Sequence, residues 1–545
     1  MSLARRCRHL SIAVAAGLAV WLAAGCSRPD AGADAGPAAA ASTAAPAASR
    51  AKAAAGIAWQ HAATEAEVDA AFATARRDNK PLFLYWGANW CPPCNQVKAT
   101  LFNRQEFIER SRAFVPVYID GDSPGAQKLG TRFKVRGYPT MVLFNPAGAE
   151  LTRLPGEVDA QQYTQVLILG MNAQQRPVKE VVAAARAGGQ GLSPNDWKLL
   201  AFYSWDTDEQ QVVAKGDSGA LLRELAAACP PQPADSANRL FLKALAAGGD
   251  KPGAPPPAAA RERLLALLGD AEQSHVQMDV LAYNAQELVR ALHPAGSTAR
   301  QELVDAYDAS LAGLANDGTL SRADRLSALI ARTQLANLDL PKGGKPTVPP
   351  ALLTDVREQV ARVDREVTDG YERQAVITTA ADLLEEAGVP DESDTLLKAN
   401  LAKSHSPYYL MLGLAGNAKK RGDKAEALRW YEEAFDKSEG PATRLQWGAT
   451  YVAALVDLSP QDAPRVERAV TQLFKEAGAQ PNAFYERSAR SLQKVGGKLA
   501  DWQKASPRNA PVVKRLQAQL DGVCAGLPES EAAQRATCRN LLKKA

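Results

Sequence analysis

Two cysteines held apart by two prolines, Cys91-Pro92-Pro93-Cys94, stand just behind an unbroken apolar run, Pro81-Leu82-Phe83-Leu84-Tyr85-Trp86. A short run of this kind, with no polar interruption, reads as a strand buried on both faces. Proline has no N–H to donate, so two in succession are tolerated in a helix only within its first turn. The segment therefore predicts strand, turn and helix, with Cys91 at the helix N-terminus and Cys94 one turn in. At that place unpaired N–H groups and the helix dipole favour a thiolate on Cys91.

The flanking sequence alternates between the two periods of regular structure. Glu65 to Arg77 carries Val68, Ala71, Phe72 and Ala75 on one helical stripe. After the cysteines a helical stretch is expected to about Ser111, then a buried strand from Phe114 to Ile119 and a short helix from Gln127 to Phe133. A third strand, Met141 to Phe144, follows Tyr138-Pro139-Thr140. A hairpin partner, Glu150 to Leu154, leads to a last helix near Gln161 to Leu169. A Cys-x-x-Cys pair alone admits a redox site, half of a zinc site or a structural disulfide. Zinc takes about four ligands; there is no second cysteine pair nearby and His61 is the only histidine of the region. No metal or cofactor is expected.

The order β-α-β-α-β-β-α, with Trp90-Cys91-Pro92-Pro93-Cys94 and Tyr138-Pro139-Thr140, resembles the thioredoxin family, of the bacterial periplasmic kind. The resemblance covers residues 56–175, about a fifth of the chain. It implies an α/β thioredoxin fold and a thiol–disulfide oxidoreductase in which Cys91 attacks a substrate disulfide and Cys94 resolves the mixed disulfide. In the family the proline matching Pro139 is cis. The backbone at Tyr138 would pair with the substrate chain, and Trp90 would partly shield the sulfurs. The Cys-Pro-Pro-Cys site resembles TlpA-like reductases, and Leu101-Phe102-Asn103 with Glu106-Phe107 resembles the C-terminal periplasmic domain of DsbD. Both imply a reductase, while Tyr138 before the proline keeps isomerase open, with oxidase as the other direction. One departure concerns proton transfer. The buried aspartate that usually stands six residues before the first cysteine is Tyr85 here, and its companion lysine is missing near Pro116-Val117, which leaves Cys94 without an obvious base. Lys98 reads as a solvated surface lysine that could otherwise favour the thiolate.

The chain starts with Arg5, Arg6 and Arg8, an uncharged and mostly apolar run from Leu10 to Ala24, and Leu22-Ala23-Ala24-Gly25-Cys26. Residues 1–25 resemble a bacterial lipoprotein signal, which implies lipid on Cys26; Ser27 after it implies sorting to the outer membrane. An ordinary secretory signal or an uncleaved membrane helix is the alternative. Residues 26–55, rich in Ala, Pro, Gly and Ser, read as a flexible tether. The whole chain carries a net charge of +4 over 545 residues, and without the leader's three arginines +1. Charge therefore points to no nucleic-acid partner.

From residue 180 to 545 helical periodicity continues, punctuated at Cys229-Pro230-Pro231, Gly248 to Pro257, Pro294-Ala295-Gly296, residues 341–350 and Ser404 to Pro407. About eighteen helices over about 360 residues suit stacked helical hairpins. Leu414, Gly422, Ala427, Tyr431 and Ala434 fall at tetratricopeptide-like positions. The expectation is an all-α, solenoid-type region offering a concave surface for protein partners, with an irregular bundle as the alternative. Cys524 and Cys538 flank Gly526-Leu527-Pro528 and suit a disulfide stapling a terminal hairpin in an oxidising compartment. Cys229 reads as a buried apolar cysteine, with a third redox thiol as the other option. His275, His293 and His405 show no ligand spacing. The reading that results is a lipid-anchored periplasmic oxidoreductase. It would act on disulfide-containing periplasmic proteins, take electrons from a further redox partner and use its helical region for docking. The alternative is an outer-membrane scaffold with an auxiliary redox domain.

Overall fold

The structure, a computed structural model, describes residues 56–135, 137–154, 159–171, 176–208, 211–213, 218–248, 259–293, 297–341 and 343–543. The leader, Cys26 and the tether lie outside the described residues.

Five strands form a mixed sheet in the order β1-β3-β2-β4-β5: β1 (Gln60–His61), β2 (Leu82–Gly87), β3 (Val115–Asp120), β4 (Thr140–Phe144) and β5 (Glu150–Leu154). β2 runs parallel to β3, from Leu82 opposite Val115 to Gly87 opposite Asp120, and antiparallel to β4. Side chains alternate between the faces of a strand. Leu82, Leu84 and Trp86 therefore pack with Val117, Ile119 and Val142 under α1 (Glu65–Asp78) and α4 (Ala126–Phe133). Phe83 and Tyr85 pack on the other face with Met141 and Leu143, beneath α2 (Pro92–Val97), α3 (Gln105–Arg110) and α5 (Ala160–Gly170). The short β1 has no apolar run and was not foreseen from sequence.

α1 starts at a capping box, in which Thr64 accepts the Glu67 N–H and the Glu67 carboxylate accepts the Thr64 N–H. All four residues of its expected stripe are buried. The expected continuous helix to Ser111 is instead broken. α2 widens into a π-helical turn at Lys98–Phe102, and Arg104 is extended before α3. Both Leu101 and Phe102 are buried in the wider turn.

Twenty further α-helices run between Val178 and Arg539 among the described residues. None is long and apolar enough to cross a membrane. The hairpin of helices Pro407–Arg421 and Lys424–Lys437 turns on Gly422, at φ +82°, and Asp423 caps the second helix by accepting the Glu426 N–H. Leu414, Ala427 and Ala434 are fully buried in that hairpin, and Tyr431 is half-buried. At the end of the chain, Cys524 and Cys538 form a disulfide between helices Ala510–Ala525 and Ala532–Arg539, with Cα atoms 5.7 Å apart.

The sheet and the helices share their cores. The Phe83 and Tyr85 face continues through Tyr163 and Val166 into Val178, Trp197 and Leu225. Trp90, Cys91 and Cys94 belong to a second cluster that contains Val376, Ala380, Met411 and Trp447 from helices near the middle of the chain.

Candidate functional site

The C-terminal ends of the parallel strands β2 and β3 lie side by side, and the chain leaving β2 turns at once into α2. Cys91 is the N-cap of α2, in extended conformation, and its Sγ accepts the Cys94 N–H at 3.2 Å. Pro92 and Pro93 occupy the first two helical positions, where no intrahelical acceptor exists for an N–H. The two cysteines are joined in a disulfide, Cα to Cα 5.2 Å. Asn95, fully buried, donates from Nδ2 to the carbonyls of Asn89 (2.7 Å) and Cys91 (3.0 Å), and so ties the approach loop to the helix.

Tyr85 fills the place beneath Cys94 where a carboxylate was missing from the sequence. Its hydroxyl donates to the Cys94 carbonyl at 3.5 Å. Burial holds its pKa well above the usual value, so it stays protonated and supplies no base. Lys98 is not a solvated surface lysine. It is half-buried, bonded to Asn89 Oδ1 at 3.2 Å, and its ammonium stands 5.0 Å from the centre of the Tyr371 ring. Burial lowers its pKa and raises that of neighbouring Asp120.

The Tyr138–Pro139 bond is cis, and Thr140, the next residue, opens β4 opposite Trp86. Trp90, Cys91, Gly137 and Tyr138 line one cleft of about 490 Å³, which brings three of the expected site residues, Trp90, Cys91 and Tyr138, together. Trp90 lies in an aromatic cage. Tyr409 stacks on it at 5.8 Å, Trp447 meets it edge-on at 5.4 Å and Tyr138 is tilted at 6.3 Å. The Arg487 guanidinium caps both rings, 4.6 Å from Trp90 and 5.0 Å from Tyr138.

The remaining walls also come from the helical region. The helix Gly370–Glu386 packs against α2. Gln96 donates from Nε2 to Asp324 Oδ1 (2.6 Å) and Ser321 Oγ (3.1 Å). Gln127 Oε1 accepts the backbone N–H groups of Arg487 and Ser488, and Lys128 pairs with Glu531 at 2.9 Å. Asp122, in the turn after β3, accepts the Trp90 indole N–H at 3.2 Å and the Thr443 N–H at 2.8 Å. It thereby caps the helix Pro441–Leu458, which has no side-chain cap of its own behind Gly440. Gly440 is required there: its φ is +85°, and an added Cβ would run into the Asp122 carboxylate. With these walls in place Cys91 is 2% exposed and Cys94 0%.

Sequence reasoning missed Asp122, Tyr409, Trp447 and Arg487. The one available signal was the Gly440-Pro441 helix start, which lacks a capping residue and so calls for a cap from elsewhere. The Cys524–Cys538 disulfide belongs to a separate core cluster. Cys229 is a free, half-buried thiol, raised to about 11 by burial. His275 pairs with Asp317 at 2.7 Å. Among the described residues no three His, Cys, Asp or Glu side chains gather as a metal site.

Comparison with known proteins agrees with this geometry. A family model described as a thioredoxin-like domain matches residues 68–169. The chain is similar to thiol:disulfide interchange protein DsbD 1 of Pseudomonas aeruginosa, 33% identical over 106 residues, which is 19% of this chain and 18% of that protein. It is likewise similar to thiol:disulfide interchange protein DsbD of Pseudomonas fluorescens, 31% identical over 104 residues, 18% of each chain. The chain thus spans less than a fifth of the length of the curated relatives it matches. The region around the disulfide is a thioredoxin-like domain, and the long helical region lies outside these matches.

Proposed function

We propose that the protein is a thiol:disulfide oxidoreductase that reduces disulfides in periplasmic proteins, held at the outer membrane by lipid on Cys26. The observation that carries the activity is the Cys91–Cys94 disulfide at the start of α2, with Cys91 as N-cap and with Tyr138 lining the same cleft. In the reduced protein a Cys91 thiolate has the Cys94 N–H and the helix dipole to stabilise it. It attacks one sulfur of a substrate disulfide, forms a mixed disulfide and releases the first substrate thiolate. Cys94 gives its proton to the first substrate thiolate and attacks Cys91, releasing the second substrate thiolate and restoring the Cys91–Cys94 bond. Two electrons pass to the substrate, and a partner dithiol returns two electrons to the protein. The cleft beside Trp90 and Tyr138 is where a substrate chain would lie, and the helical region would select it.

The test is to trap mixed disulfides with Cys94→Ser in periplasm. Covalent adducts that dithiothreitol releases, and that Cys91→Ser lacks, are expected; no adducts in either variant would end the reading. Equilibration with glutathione decides direction. A potential near the roughly −270 mV of thioredoxin is expected, and one near the roughly −120 mV of DsbA would make the protein an oxidant. For the anchor, Cys26→Ser should move the protein from the membrane to the soluble fraction.

A second reading, a helical scaffold with an auxiliary redox site, draws on the near-complete burial of Cys91 by the helical region. Binding of partners that survives Cys91→Ser, together with no reductase activity in the wild type, would favour it.

A further inference from the structure

The cleft beside Cys91 has a charge pattern that the thioredoxin-like domain does not supply. Its outer wall is one face of the helix Glu486–Ala505, which places Arg487, Arg490 and Lys494 along the cleft. No carboxylate lines the cleft among the described residues. Arg490 is paired with Glu486 at 2.8 Å. Arg487 is not paired: its Nη1 and Nη2 are shielded from solvent without a hydrogen-bond partner among the described residues. Gln446 Oε1, on the same cleft, is also shielded and unpartnered. A guanidinium left without an acceptor carries a desolvation cost. Here it is fixed by stacking over Trp90 and Tyr138, the two rings that flank the disulfide. Trp90 also lines a second cleft, of about 540 Å³, whose walls carry Asp120, Asp122, Asp369 and Glu439. Trp90 therefore borders both a basic cleft, which Cys91 lines, and an acidic one, which Cys91 does not.

We infer that the basic cleft is a recognition site for an extended substrate segment carrying aspartate or glutamate within a few residues of its disulfide cysteine, with Arg487 as the carboxylate receptor and Lys494 adding to the field. The inference rests on the proposed oxidoreductase activity and names the substrate class for it. A guanidinium presents two parallel N–H donors that match a carboxylate, and Gln446 Oε1 is a second unpartnered polar atom on the same cleft. The acidic cleft repels the same segment and so steers it toward the sulfur of Cys91.

The test uses the full chain, reduced with dithiothreitol and freed of it. Three synthetic peptides with one intramolecular disulfide differ only in having Glu, Gln or Lys beside both cysteines. Loss of the protein dithiol is followed by tryptophan fluorescence and by thiol alkylation with mass readout. At low ionic strength the Glu peptide should oxidise the dithiol at least tenfold faster than the Lys peptide, and 0.5 M salt should narrow the gap because the exposed part of the field is screened. Arg487→Gln and Lys494→Gln should each shrink the Glu-to-Lys ratio. Equal rates for the three peptides in the wild type would overturn the inference without needing any variant, as would a ratio unchanged in Arg487→Gln. If the dithiol forms and no peptide oxidises it, the activity itself fails and the inference with it, and that outcome is distinct from equal rates.

Discussion

Replacing Asp122 by alanine strikes the junction between the redox site and the helical region at one atom group. The carboxylate accepts the Thr443 N–H at 2.8 Å, the Thr443 hydroxyl at 2.7 Å and the Trp90 indole N–H at 3.2 Å. Loss of a helix N-cap costs about 1 kcal/mol. Thr443 is 0% exposed, so its hydroxyl is left without an acceptor at about 1–3 kcal/mol. The indole N–H contributes less, because Trp90 borders open clefts where water replaces the lost acceptor. The total is about 2–4 kcal/mol, concentrated at the start of the helix Pro441–Leu458. A chain of this size does not unfold in one step, so the assay is local: hydrogen exchange of the peptide spanning residues 440–447. An opening free energy lower by that amount makes exchange there roughly 30- to 800-fold faster. Peptides from the terminal hairpin, residues 510–539, should be unchanged. Asp122→Asn keeps one acceptor and loses the charge opposite the helix dipole, so its effect should be nearer about 1 kcal/mol. Acceleration of less than about threefold in Asp122→Ala would refute the cap across the junction.

Three further outcomes are expected. Burial raises the Asp324 carboxyl from the usual 3.8 to about 6, so the fold holds this proton more tightly than the unfolded chain. Its contribution is complete below about pH 4 and is lost as pH rises through 6. Asp324→Asn should therefore flatten the decline in local opening free energy, read by hydrogen exchange of the helix Arg322–Ala336, between pH 4 and 6, by up to about 3 kcal/mol, and leave the residual slope of Asp382, also raised to about 6 by burial. An unchanged slope would count against it. Asp279→Ala leaves the fully buried Arg239, paired at 2.7 Å and 2.5 Å, without its carboxylate. It should cost about 3–5 kcal/mol, and less when Arg239 is changed to Met as well. Cys538→Ser opens the loop closed by Cys524, separated from it by 14 residues. It should cost roughly 3 kcal/mol in chain entropy and expose the chain beyond Ala525 to limited proteolysis while the thioredoxin-like domain stays intact.

The parts of the fold that were legible are those written in short-range pattern. The apolar run Leu82 to Trp86, the stripe of Val68, Ala71, Phe72 and Ala75, and the hairpin partner Glu150–Leu154 each announce an element by period alone. β1 escaped because two exposed residues carry no period, and the π-helical turn at Lys98–Phe102 escaped because it interrupts one. At the site, Cys91 and Cys94 were visible through their spacing and the prolines between them. Lys98 was misread because its own neighbours look like a solvated face; what buries it, Tyr371, lies far along the chain.

Sequence by itself determined that a strand ends at a helix whose first turn is Cys-Pro-Pro-Cys, since buried strands and proline geometry are local constraints. It likewise determined that helices follow to the end of the chain. Only the tertiary structure decided that those helices close over the disulfide. Asp122 finds Thr443, Gln96 finds Asp324 and Arg487 settles on Trp90 and Tyr138, across separations of 321, 228 and several hundred residues. An amphipathic period states that a face will be buried, but it does not name the surface that covers it. That pairing depends on shape, on unpaired donors and on acceptors that meet only once the chain has folded.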